Sequence, residues 1–142
     1  MSLNQEKIRN TDKEFVRANS LTDILAEKQV ADILLLDLRS LQTFADFFII
    51  GTVDNIRQAK TVIDLIFKQK NELGTSLIKQ DGGPESEWIL LDVGGVVIHL
   101  FSKETREYYD IESLWSSAKT ILHIHRLLII LESIAHLLVS IH

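Results

Sequence analysis

WILLDVGGVVIHLFSKETREYYDIESLW, residues 88–115, decides the fold, because it reads as a tight hairpin followed by a capped helix. Gly94-Gly95 is a two-residue connection that tolerates the positive φ angles of a primed turn. It sets Val93 opposite Val96; counting outward, Leu91 opposes Ile98 and Ile89 opposes Leu100. Side chains alternate along a strand, so these residues share one face. That face is wholly aliphatic and must be buried. The other face pairs Asp92 with Val97, Leu90 with His99 and Trp88 with Phe101. Asp92 and His99 are diagonal neighbours, within reach of a hydrogen bond if the sheet twists favourably. An acid, an imidazole and two large rings on one face suit contact with a partner. A covering helix would instead make Trp88 and Phe101 core, since large sheets are often covered on both sides.

Beyond the hairpin, Ser102 is positioned to cap a helix and Glu104 falls in its first turn, where negative charge is favoured. Tyr108, Ile111, Leu114 and Trp115 form an apolar stripe at helical spacing. Arg106, Tyr109, Asp110 and Glu112 lie off it, with Arg106 and Asp110 four apart and able to pair. An exposed pair of that kind contributes only ~0.3–0.5 kcal/mol, so spacing alone makes these four a solvated face.

Upstream, residues 12–29 read as a helix with Phe15, Leu21, Ile24 and Leu25 on one side, and Ser20 and Thr22 as a possible restart. Short apolar runs at Ile33–Leu38 and Asp46–Thr52 suit buried strands. Asp54 or Asn55 caps the next helix, with Gln58 in capping-box position after Asn55. Its stripe is Ile56, Ala59, Ile63 and Ile66, joined by Val62 and Phe67, and Gly74 is a natural stop. Ser76–Gln80 makes a third strand before the turn Asp81-Gly82-Gly83-Pro84. The order predicts an α/β fold: a mixed sheet of about five strands flanked by helices, in a single domain over 1–118.

Residues 119–142, KTILHIHRLLIILESIAHLLVSIH, are the most apolar segment and read as a C-terminal tail helix with two adjacent apolar stripes. Burial against the domain or against a second copy, as a homodimer, is the leading expectation. A membrane span comes second, because Arg126 and Glu132 interrupt the run. His123, His125, His136 and His142 are not three or four apart, so no helical metal site is expected.

Composition narrows the classes further. With 142 residues and 46% hydrophobic content the chain supports a sizeable core. It has no cysteine, hence no disulfide, thiolate metal site or thiol nucleophile. The opening residues MSLNQEKIRNTDKEF lack an apolar stretch and carry acids, which points to a cytoplasmic protein. Fifteen Lys and Arg against twenty acids, net −5, disfavour a broad nucleic-acid surface, whose affinity comes from cations displacing counterions. A basic protein partner is the better electrostatic match.

The pattern W-x-L-L-D-x-G-x-V-x-x-H-x-F, from Trp88 through Asp92, Gly95, Val96, His99 and Phe101, continues as R-E-x-Y-D-x-E-x-L-W from Arg106 to Trp115. Together with Leu36-Asp37-Leu38-Arg39 and Ala45-Asp46-Phe47-Phe48-Ile49-Ile50 it resembles the Iojap-like ribosomal silencing factor family over roughly residues 12–117. The resemblance implies a nucleotidyltransferase-like fold with a non-enzymatic role. It implies a protein that docks on the large ribosomal subunit through that subunit's protein fourteen, blocks subunit association and represses translation. The expected partner-binding residues are Trp88 and Phe101 as anchors, Asp92 and His99 beside them, and Arg106, Tyr109 and Glu112 as a polar rim. No cofactor and no metal is expected.

The competing expectation is a metal-dependent nucleotidyltransferase-like enzyme using Asp37, Asp46 or Asp92. Against it, Gly51-Thr52 is followed by no D-x-D, and neither a phosphate loop nor a nucleophile elbow is present. Asp92 with His99 is the only acid–imidazole pair in prospect, and no nucleophile accompanies it.

Overall fold

A computed structural model describes the backbone of residues 3–124, the side chains from Lys13 to Ile124, and Leu138. Helix α1 (Leu3–Glu27) leads into β1 (Ala31–Asp37), a single 3₁₀ turn at Arg39–Leu41, β2 (Phe47–Thr52) and helix α2 (Ile56–Lys68). Then come β3 (Ile78–Asp81), β4 (Trp88–Val93), β5 (Val96–Phe101), the short helices α3 (Lys103–Tyr109) and α4 (Ile111–Leu114), and β6 (Lys119–Ile124). The strands form one mixed sheet in the order β3-β4-β5-β2-β1-β6. Only β2 and β5 run parallel; the other neighbours are antiparallel. This is the single-domain α/β architecture expected, with six strands instead of about five.

The central pair explains the order. All residues of β2 and β5 are buried, as befits strands covered on both faces. The hairpin register is the one dictated by Gly94-Gly95, at φ 56° and 87°, with Val93 opposite Val96 and Trp88 opposite Phe101. The aliphatic face (Ile89, Leu91, Val93, Val96, Ile98, Leu100) is fully buried. It packs with Phe47 and Ile49 of β2 under Ala18, Leu21 and Leu25 of α1 and Val62, Ile63 and Ile66 of α2. Helix α1 is uninterrupted at Ser20 and Thr22, because the Thr22 hydroxyl turns inward and donates to the Ala18 carbonyl at 2.9 Å. Asn55 caps α2 by accepting from the Gln58 amide, while the Gln58 side chain reaches back to the Asp54 N–H. Ile56 and Phe67, assigned to the α2 stripe from spacing, are instead exposed at its two ends. The helix closes at Lys68, and Gly74 (φ 70°) ends the turn that follows it.

The tail departs from expectation. Residues 119–124 form β6, which adds to the free edge of β1 with Leu36 opposite Thr120 and Ile33 opposite Ile124. An unpaired edge offers a row of backbone donors and acceptors to whatever chain comes next. Buried Ala118 delivers the following residues to that edge. The helical expectation therefore fails over 119–124. The rest of the tail, Leu138 excepted, lies outside the described residues, and with it most of the two stripes and Arg126, Glu132, His125, His136 and His142. Among the described residues, no helix is long and apolar enough to cross a membrane.

Candidate functional site

The second sheet face is half covered, and its covering corner creates the site. Ser102 caps α3 by accepting from the Thr105 amide at 3.2 Å. Asp110 then adopts a left-handed conformation (φ 44°, ψ 52°), which breaks the helix and starts α4 in a new direction. The break sends Ile111 into a second core with Phe48, Ile50, Val97, Phe101, Leu36, Leu38 and Ala118. It also throws Tyr108 (82% exposed) and Leu114 (76%) outward. The continuous stripe Tyr108–Ile111–Leu114–Trp115 read from spacing therefore does not exist. Only Ile111 is buried, and Trp115 lies half-buried with its ring edge-on to Phe48, centroids 5.2 Å apart.

Arg106 holds this corner. Its Nε donates to Glu112 at 2.5 Å, and its Nη1 donates to the Asp32 carbonyl at 2.7 Å and the Thr52 hydroxyl at 2.9 Å. The Arg106–Asp110 pair expected at spacing four is replaced by Arg106–Glu112, because the break at Asp110 swings Glu112 back over α3. Neither residue belongs to a solvated rim. Arg106→Met is expected to lower stability by about 2 kcal/mol in urea unfolding, since it strands Glu112 and two backbone or hydroxyl acceptors. Arg106→Lys should recover little of this, for an ammonium lacks the planar fork.

Behind the corner lie the residues first assigned to the interface. Phe101 is fully buried and His99 nearly so, which corrects their placement on an open face. Trp88 remains half-buried, packed on Phe101 (4.8 Å between centroids) and on Tyr109 (5.0 Å). The Asp92–His99 hydrogen bond does not form; His99 instead accepts from the Trp88 indole N–H at Nδ1, at 3.1 Å. With Nδ1 an acceptor, the neutral ring carries its proton on Nε2, which is buried and has no partner among the described residues. Burial pushes the His99 pKa down to about 4.

The open part of the face carries Phe44, Tyr108, Tyr109 and Leu114, all exposed, with Leu90, Trp88 and Trp115 half-buried between them. Glu87, Trp88, Glu104, Thr105, Tyr108 and Tyr109 line a groove of about 440 Å³. Between Lys79 and Glu112 eight acidic residues stand against three basic ones, and one of those, Arg106, is already paired. Phe44 and Leu114 had no signal in the sequence: Phe44 sits in a loop without periodicity, and Leu114 looked like part of a buried stripe.

The candidate catalytic acids are dispersed. Asp37 accepts from the Arg39 amide and from Nε and Nη2 of its guanidinium, at 3.0, 2.9 and 2.6 Å, and this arginine holds its carboxyl below the usual range. Asp46 immediately precedes β2, its carboxyl pushed up by burial. Asp92 lies on β4, separated from β2 by β5 and so roughly 10 Å away in strand spacing. Among the described residues, no three acidic or histidine side chains gather as metal ligands.

Fold and surface define a single-domain α/β protein with a half-covered, acidic aromatic face. Residues 10–135 match the family model described as ribosomal silencing factor during starvation. The chain is 37% identical over 92 residues to the ribosomal silencing factor RsfS of Bacillus subtilis, covering 65% of this chain and 78% of that protein. A crystal structure from Chromobacterium violaceum superposes with a TM-score of 0.62 at 34% identity, over 70% of this chain and 83% of that one. Mouse mitochondrial assembly of ribosomal large subunit protein 1 is 28% identical over 99 residues, 68% of this chain and 43% of that protein. The chain belongs to the ribosomal silencing factor family, whose members act in ribosome-associated regulation.

Proposed function

We propose that this protein represses translation by docking on the large ribosomal subunit, gripping its protein fourteen, and so blocking association of the two subunits. It acts by occupancy, without a chemical step. The observation that carries this reading is the uncovered face itself: Tyr108, Tyr109, Leu114 and Phe44 stand in solvent around half-buried Trp88 and Trp115. Contiguous apolar and aromatic surface of this kind is a hallmark of protein interfaces, where such rings dominate the energetics. The acidic surround matches a basic ribosomal protein and disfavours direct contact with RNA phosphates. The name of the mouse relative refers to the large subunit, which is the same half of the ribosome.

Within this reading Trp88 keeps its role as an anchor and Tyr109 joins it. Asp92 and Glu87 supply charge nearby, while His99, Phe101, Arg106 and Glu112 support the face from behind. Tyr109→Ala is expected to weaken co-sedimentation with purified large subunits by about thirtyfold, a loss of ~2 kcal/mol, with an unchanged thermal midpoint. The direct test is subunit joining with purified subunits. Inhibition near one protein per large subunit is the expected result. Full joining at a tenfold excess of protein would remove the proposal.

A further inference from the structure

We propose that the cavity between α1 and the turn following α2 is a binding site for a small anion with an apolar body, of the medium-chain carboxylate kind. The cavity measures about 540 Å³, within the range of ordinary small-molecule sites. Lys13, Val16, Arg17 and Ser20 line it from one face of α1, at the three-and-four spacing that stacks side chains on a helix; Glu72 and Leu73 line it from the turn. It lies on the helix-covered side of the sheet, away from the aromatic face.

Arg17 carries the argument. Its Nε donates to the Leu73 carbonyl at 2.7 Å, Nη1 to the Gly94 carbonyl at 2.5 Å and Nη2 to the Gly74 carbonyl at 2.9 Å. A guanidinium has five N–H groups, so these three bonds leave two. All three acceptors are neutral, and no carboxylate pairs with Arg17 among the described residues. Among the described residues, the other two half-buried arginines are each compensated, Arg39 by Asp37 and Arg106 by Glu112. A cation partly drawn out of water with no carboxylate in contact is unfavourable, the Glu14 and Asp46 carboxylates lying instead against neighbouring Gly95, and burial lowers the Arg17 pKa. Lys13 adds a second positive charge on the same helix face, against the single negative charge of Glu72, and the two form no ion pair. The lining is thus net positive in a chain of net charge −5. A carboxylate fits the remaining N–H donors, while Val16, 62% exposed, and Leu73 offer apolar walls to the body attached to it.

Nuclear magnetic resonance titration of the full chain tests this, with hexanoate as probe and acetate and 1-hexanol as controls. The expected result is saturable hexanoate shifts at the amides of Val16, Arg17, Ser20, Leu73 and Gly74, with both controls binding at least about tenfold more weakly. Lys13→Glu, a change at an exposed position, should weaken hexanoate by about tenfold without moving the thermal midpoint. Equal binding of 1-hexanol would show that charge plays no part. Equal binding of acetate would reduce the cavity to an ion site. Either outcome, indifference to Lys13→Glu, or shifts that never saturate would overturn the proposal. None of these outcomes bears on ribosome docking, whose surface lies across the sheet.

Discussion

Phe101→Ala is expected to lower the unfolding free energy by about 3–5 kcal/mol, the cost of removing a fully enclosed aromatic ring from a packed interior. The ring has no exposed surface. Trp88 packs against it at 4.8 Å, and His99 lies nearly parallel to it with centroids 6.1 Å apart. Its surroundings on β2 and β5 belong to a rigid parallel pair that cannot collapse into the gap. Against a total stability of roughly 5–15 kcal/mol for a domain of this size, the variant should be marginal at 37 °C. Urea unfolding followed by circular dichroism reads the shift in midpoint at constant slope. The contrast with Tyr109→Ala gives the measurement its power. Tyr109 is 52% exposed, so its loss should leave the urea midpoint nearly unchanged while weakening docking. Were Phe101→Ala to keep the parental midpoint and lose docking, the ring would belong to the interface and the burial argument would fail.

That contrast shows where reading the chain succeeds and where it stops. The hairpin register was legible because a two-glycine turn at Gly94-Gly95 leaves one pairing that buries an all-aliphatic face; a slip of one residue would expose it. The Asn55 and Ser102 caps were legible because capping is local chemistry. The corner after the hairpin was not. Helical spacing presumes a continuous helix, and Asp110 breaks it with a left-handed conformation that a non-glycine residue adopts at a cost offset by burying Ile111. The errors within that corner follow from this single dihedral. Tyr108 and Leu114 leave the interior, Glu112 meets Arg106 at a spacing of six, and the corner closes over Phe101 and His99. Strand β6 was missed for another reason. Its apolar residues merge with the stripes that follow, and only the open edge of β1, a tertiary feature, recruits it into the sheet. Arg17 was invisible too, since its three carbonyl partners lie 56, 57 and 77 residues away.

Stability should fall as the pH drops below about 6.5, and His99→Asn should abolish most of that effect. In the unfolded chain the imidazole takes a proton near pH 6.5, whereas in the fold it does so only near pH 4, because charging it would place a cation among Phe48, Trp88 and Phe101. Between these values the unfolded state binds the extra proton, so stability falls as pH falls through the window and is flat for this group above it. The loss from pH 7 to pH 4.5 is about 2–3 kcal/mol, at 1.36 kcal/mol for each pKa unit. Asp37, held low by Arg39, loses its contribution only below 3.8. Asp46, pushed up by burial, acts in the opposite direction and strengthens the folded state as it protonates. Comparing parent with variant cancels both carboxylates. Asparagine suits the test because its side-chain oxygen can still accept from the Trp88 indole while carrying no titratable proton. Urea midpoints measured at pH 7, 6, 5 and 4.5 should slope for the parent and run nearly level for His99→Asn. Parallel slopes for the two proteins would mean that the folded imidazole protonates as readily as the unfolded one. A charge would then be accepted inside the second core, and the unpartnered Nε2 would have found an acceptor there.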